Sequence, residues 1–557
     1  MADGTFKTVV KSTARSLLSD VKNEKYNLRR AFQDFGSDIA ARSHTVISRE
    51  NIRGLLIDFL AVVLIGLVVS LLCSLKEGGM DLYLSVMLPF IIICLFQFGV
   101  TALYDSSVRY ATLTVILIFL GASLQIMLML PAEDASGAYK LAIFAGVGTV
   151  AGLIGVPLLN YVFNYMNKRL AALLTLGGAA FLYLLLLVAA PNISGTKAWL
   201  VIGSVSFQLT EVTKVLAVVT FACIYTDSSI VPFRRLLYAV AALAMHGIGL
   251  ILVNELGTLV VICIIFVVLG AAFLPSAKGL IAVVLAGLLC VAALVGFSYQ
   301  CYRIWYAEPS AEQTVQETET ETTVEGEVIA AETNAEGEPV AATEPATEAA
   351  RPAKTHGRLY NKVVGKAADV FYKIRTRLIL VIAPESLDEY GEGYQAKMAR
   401  KAMLVTGWLG TSEEYEQNVP VIESDYIFLY VLMKIGIIGA FIVLAMLIAM
   451  MMETVIKVSV GGKVTEAAAA IGFICCIVVQ SIITAASSAG LIPTVGLTFA
   501  FLSDGGSATV MNYIMTYFIL FAMRKKLPSN VSPRPAAAET EQRQGRAASR
   551  GAVWRTE

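Results

Sequence analysis

Glu423 and Asp425, in the stretch VPVIESDYIF, stand where a long polar segment gives way to a long apolar run. Ionisable side chains within or at the rim of membrane-spanning helices are expensive and mark a pathway or a site. Three further polar groups recur at such places. Glu211 and Lys214 are three residues apart, so they share one helical face and can neutralise each other, with a purely structural ion pair as the plainer reading. Glu255, in NELGT, can complement a helix N-terminus. Gly505, Gly506 and Ser507, following Ser503, let backbone amides approach a ligand at a helix start, an arrangement that favours phosphate. A plain turn capped by Ser507 is the alternative there, just as Ser424 or Asp425 can be no more than a helix cap.

These groups must be held by a membrane bundle. The chain has 557 residues, 57% of them hydrophobic and 15% charged, with a mean hydropathy of +0.69, too apolar for a soluble globular domain. Balanced charge gives no argument for nucleic-acid binding. Seven of the eight cysteines lie in apolar runs and the three histidines are scattered, which argues against a disulfide framework or a histidine zinc site. The polar, mostly basic residues before the first apolar run argue against a cleavable signal peptide.

About twelve runs are long enough to span a bilayer, among them Gly54–Leu75, Val212–Tyr225, Tyr426–Met451 and Ala508–Met523. The expected fold is therefore an all-α polytopic transmembrane helix bundle. Arg109, Lys168, Arg169, Arg234, Arg235, Lys278, Lys457, Lys463 and Arg524 fall in alternate loops, which places both termini in the cytoplasm and all four polar groups on the outer side. The expected organisation is a basic cytoplasmic segment at 1–53, helices over 54–190 and 191–299, an outer loop at 300–425, helices over 426–523 and a basic cytoplasmic tail at 524–557. Residues 307–350, rich in Glu, Thr, Ala and Pro, read as a disordered acidic insert. Residues 359–380 read as a basic amphipathic helix, lying on the outer leaflet or packed on the bundle itself.

In order and spacing these stretches resemble the shape, elongation, division and sporulation (SEDS) family, the FtsW, RodA and SpoVE type. A Trp-bearing outer loop followed by Gln-Pro-Ser-Glu and a Lys three residues on is matched by Trp199, Gln208, Leu209, Thr210, Glu211 and Lys214. Pro-Asp-x-Gly-Thr is matched by Asn254 to Thr258. A proline, Gly-Tyr-Gln and a Gly-x-Leu-Gly turn are matched by Pro384, Gly393 to Gln395 and Gly407 to Gly410. His-Thr-Asp-Phe-Ile-Phe is matched by Glu423 to Phe428, and the terminal Gly-Gly-Ser element by Val495 to Ser507. The likeness runs from about Asn192 to Met523, with the motifs spaced against eight matching helices, within an expected core of about ten. Upstream there are two helices more than the family pattern, and Leu209, Glu255, Glu423, Ala500 and Met433 to Gly436 depart from it.

The resemblance implies a peptidoglycan glycosyltransferase in the bacterial cytoplasmic membrane. Its substrate would be lipid II, its released product undecaprenyl pyrophosphate and its partner a class B penicillin-binding protein, a transpeptidase. Such a reaction needs a general base and positive charge beside the leaving pyrophosphate. Asp425 is the candidate base. Lys197, Trp199, Gln208, Glu211, Lys214, Glu255, Gln395, Glu423, Ser503, Gly505, Gly506 and Ser507 are the candidate substrate-binding residues. A divalent cation, Mg or Mn, is a candidate cofactor. No nucleotide-binding Gly-x-x-x-x-Gly-Lys loop is present in the sequence, as suits a donor already activated by its pyrophosphate. A lipid II flippase and a non-catalytic scaffold for a transpeptidase are the rival readings.

Overall fold

The computed structural model describes residues 27–43, 80–129, 136–193, 196–203, 205–305, 394–411, 421–461, 463–493 and 495–526, together with Val419 and positions scattered between 364 and 382. The first expected span, Gly54–Leu75, and the acidic insert at 307–350 lie outside the described residues.

The remaining expected spans are all helices: α1 (Met80–Tyr104), α2 (Val108–Met129), α3 (Ser136–Asn164), α4 (Lys168–Ala189), α5 (Leu209–Thr226), α6 (Pro232–Leu252), α7 (Leu256–Phe273), α8 (Ala277–Trp305), α10 (Ile427–Gly461), α11 (Val464–Ser488) and α12 (Gly506–Ala522), with the short α9 (Tyr394–Leu404) between α8 and α10. Among the described residues ten helices are long and apolar enough to cross a membrane, and α12 is a shorter apolar helix. Together with the family membership shown below, this makes the chain a multi-pass membrane protein.

Local chemistry explains several boundaries. The Asn167 side chain accepts from the Arg169 N–H and caps α4. Pro232 opens α6, where its missing N–H leaves nothing unsatisfied. Pro89 and Pro157 lie inside α1 and α3, as spanning helices tolerate when neighbours re-satisfy the freed carbonyls. The least predictable element is a hairpin of β1 (Trp199–Ile202) and β2 (Val205–Gln208), paired antiparallel with Trp199 opposite Gln208. Gly203, at φ +62°, lies in the turn between the strands.

The chain divides into two compact units, Met1–Ile281 with Asp388–Glu557, and Ala282–Leu387. In the first, α5 and α11 are the most buried spans. Helices α3 and α12 approach through Gly148 and Gly152; a Cβ on Gly152 would lie 2.7 Å from the Tyr517 ring, the small-residue contact that replaces hydrophobic driving force in lipid. α10 is broken at Gly436, whose φ of 74° and ψ of −177° are non-helical. The break receives the turn from Gly407 to Gly410: Ile437 and Ile438 donate to the Gly407 and Trp408 carbonyls, and Thr411 donates to Met433 O. In the second unit, Val364 and Ala368 pack on Cys301 of α8 and Phe371 meets the rings of Tyr299 and Tyr302. The described part of the amphipathic segment thus packs on protein.

Candidate functional site

Four helix starts, those of α5, α7, α10 and α12, are tied together at one end of the bundle. β2 runs straight into α5, which leaves Gln208 at the junction: its backbone N–H donates to Ser507 Oγ (3.2 Å) and its side-chain amide to Glu255 Oε1 (3.3 Å). Thr258, one turn into α7, donates to the same oxygen (3.4 Å). Asn254, at φ +61°, makes the left-handed turn that sets Glu255 at the mouth of α7, a conformation Asn tolerates better than other residues with a Cβ. Gly257 lets this helix start touch the connection between α11 and α12, since a Cβ there would lie 2.6 Å from Val495 O.

Ser503 Oγ donates to Ser424 O (2.7 Å) and accepts from the Phe499 N–H (2.8 Å). The Asp504 N–H donates to Glu423 O (2.9 Å), and Ser488, at the end of α11, donates to Asp425 O (3.1 Å). The segment carrying Glu423 and Asp425 is therefore pinned by its carbonyls, with both carboxylates left off the backbone framework. Behind them, Lys214 donates to Glu211 Oε1 (2.7 Å) and to Gln480 Oε1 (2.8 Å), and Gln480 donates to Asn512 Oδ1 (3.1 Å). That chain crosses α5, α11 and α12. Lys214 and Glu211 have side chains 1% and 2% exposed, and Glu211 Oε2 has no partner.

Burial sets the proton affinities at the rim. The half-buried Asp425 carboxyl is raised to about 6, chiefly by desolvation and further by Glu423, against a lowering bond from Ser424. Glu255 is raised to about 7 by burial and by the Glu211 charge, offset in part by Lys214. Burial and Glu423 also raise Asp504. Asp425 and Glu255, raised to about 6 and about 7, can exchange protons near neutral pH at this mouth.

Of the residues expected from sequence, Gln208, Glu211, Lys214, Glu255, Glu423, Asp425, Ser503 and Ser507 are joined by these bonds and charges. Gly505 and Gly506 stand at the α12 start, tight against Thr498 and Phe144. Trp199 is half-buried and faces Gln208 across the hairpin. Lys197 is engaged by Leu187 O (3.4 Å), and Gln395 is exposed on α9; among the described residues no bond carries either to the carboxylates. Gln480, Asn512 and Gln125 were missed from sequence. Their signal was only that of amides inside apolar runs, and their partners are far along the chain. No group of three His, Cys, Asp or Glu among the described residues is gathered so as to hold a metal ion.

The FtsW of Buchnera aphidicola subsp. Acyrthosiphon pisum, a probable peptidoglycan glycosyltransferase, is 30% identical over 143 residues, 24% of this chain and 35% of that one. The protein of the same name from Lactococcus lactis is 31% identical over 125 residues, 22% and 30% of the two chains; these matches span about a third of the relatives' length. A chain from a structure of polymerization and crosslinking by a peptidoglycan synthase complex is similar with a TM-score of 0.49 at 16% identity, covering 75% of this chain and 98% of that one. The rod shape determining protein RodA of Thermus thermophilus gives 0.44 at 14%, covering 75% and 97%. The model of the cell cycle protein family FtsW/RodA/SpoVE matches residues 108–317 and 363–527, more than half the sequence, and the chain belongs to that family.

Proposed function

We propose that this protein is a peptidoglycan glycosyltransferase that polymerises lipid II on the outer face of the cytoplasmic membrane, with both termini in the cytoplasm. The observation that carries the reading is Asp425: a half-buried carboxylate of raised proton affinity, pinned by its carbonyl, at the mouth of a membrane helix. A base poised at about 6 is mostly ionised at neutral pH and still accepts a proton effectively.

In the proposed reaction the 4-hydroxyl oxygen of one sugar forms a bond to the anomeric carbon of the next. Its proton passes to Asp425, and the bond from the anomeric carbon to undecaprenyl pyrophosphate breaks. The developing negative charge on the leaving group is met by the N–H groups at the α12 start, beside Gly505, Gly506 and Ser507, where the helix dipole is positive. Glu211, Lys214, Gln480 and Asn512 hold α5, α11 and α12 in register beneath the sugar site. Gln208 and Glu255 close its side, and Trp199 either stacks on sugar or anchors the hairpin at the interface.

Likeness in sequence to proteins named peptidoglycan glycosyltransferases supports the same reading, and the family resemblance supplies a class B penicillin-binding protein as partner. The test is polymerisation of purified lipid II by the detergent-solubilised protein, with and without that partner. Glycan strands made without vesicles support the reading and exclude pure flipping. No strands in either condition overturns it.

A further inference from the structure

Gln125 lies in the last third of α2, wholly buried. Its side-chain Nε2 donates one N–H to Glu423 O (2.8 Å) and the other to Leu502 O (2.9 Å), across sequence separations of 298 and 377 residues. One amide group thus joins the segment that presents Glu423 and Asp425 to the turn that presents Ser503 and Asp504. The neighbouring turn of α2 is in direct contact with the same backbone: a Cβ on Gly121 would lie 2.0 Å from Phe501 O. Phe501 itself is held at φ +66°, a left-handed conformation that a bulky residue keeps only when its surroundings impose it.

The other half of the side chain has no such role. Gln125 Oε1 is buried without a hydrogen-bond partner. An unsatisfied acceptor in the interior is a cost that an apolar residue of the same size would avoid. A position serving packing alone is better filled by Met or Leu, so the two donors are what the glutamine contributes.

Resting on the reading of Asp425 as base, we propose that Gln125 is a positioning residue that sets the distance between the Asp425 segment and the α12 start. The groups that face this junction are the carboxyls of Glu423, Asp425 and Asp504, and Lys140, whose charge reaches Asp504. Loosening the junction moves Asp425 relative to the sugar without removing any contact to lipid, which is an error in geometry at the reacting atoms.

The test is Gln125→Met in the full-length protein, assayed with purified lipid II beside wild type. The expected result is a loss of about 10- to 100-fold in kcat, KM within about twofold and a displaced acid limb of the pH-rate profile. An unchanged kcat and profile in a folded variant overturns the proposal, as does a change confined to KM. Gln125→Glu gives a second reading if Gln125→Met does not fold. A carboxylate there faces two carbonyls with no donor, whereas its protonated form restores one O–H, so its rate relative to wild type rises as pH is lowered; a ratio flat in pH counts against the proposal. Inactive wild type, by contrast, sinks the glycosyltransferase reading and is distinguishable from either result.

Discussion

Two ion pairs sit at opposite ends of the same helix bundle, and they are built differently. Where α11 starts and α12 finishes, Arg524 grips Glu466 with both arms (2.9 and 3.1 Å), stacks on Phe521 (3.7 Å to the ring centroid), and leaves a Glu466 oxygen to be shared with Asn164. At the end that carries Glu423 and Asp425, Lys214 holds only one oxygen of Glu211, and the second has no partner. A closed pair joins two helix ends and has no further capacity. An open pair keeps an acceptor and a charge beneath a mouth lined by Asp425 and Glu255, which is the arrangement expected where a substrate completes the site.

The Lys214–Glu211 pair is the more buried of the two. Lys214→Met leaves Glu211 uncompensated and is expected to lower stability by about 3–5 kcal/mol in detergent unfolding, whereas adding Glu211→Leu recovers most of the loss. A double variant as unstable as the single would contradict the account.

Glu255 sharpens it with the opposite sign. Its folded affinity, about 7, lies above the ordinary 4.5, so the ionised carboxylate withholds stability at high pH and returns it as pH falls through that window. Glu255→Gln is therefore expected to stabilise by up to about 3 kcal/mol at pH 8 and by little at pH 5, read from unfolding midpoints at the two values. Equal gains at both would mean that charge is not the cause.

The smallest effect belongs to the closed pair. When the partly solvated Arg524 is removed, Glu466 keeps its Asn164 donor, whereas Glu211 loses its only one, so Arg524→Met is expected to cost less than Lys214→Met, about 2 kcal/mol, while the rate of the folded fraction stays within about twofold of wild type. A large rate loss without unfolding would place catalysis at the Arg524 end.

Much of this was legible in the sequence, because lipid permits little besides helices and hydropathy marks them directly. Position was clearer than extent. α10 was expected to end at Met451, where apolar residues give out, yet it continues to Gly461; Glu453 and Lys457 extend it as an i,i+4 pair at 3.9 Å on a stretch that carries its own support. The hairpin at Trp199–Gln208 was missed because ten residues around one glycine carry too little periodicity to separate a strand pair from a loop. Motif order grouped Glu211, Lys214, Glu255, Asp425 and Ser507, which the structure gathers at one end of the bundle. It could not reveal Gln480, Asn512 or Gln125, whose partners lie 32 to 377 residues away.

The departure at Met433 to Gly436 is also instructive. Its charged and apolar members differ from the family pattern, but Gly436 remains where the break in α10 admits the Trp408 backbone. The backbone requirement there is met even though the side chains around it have changed.

The central claim rests on Asp425, and the most direct measurement is polymerisation of purified lipid II by wild type and Asp425→Asn, with lipid II binding measured on the same samples. The account predicts glycan strands from wild type and a rate lower by about 100-fold or more in a folded variant that still binds lipid II. Equal rates from the two proteins would contradict it and remove Asp425 from the role of base.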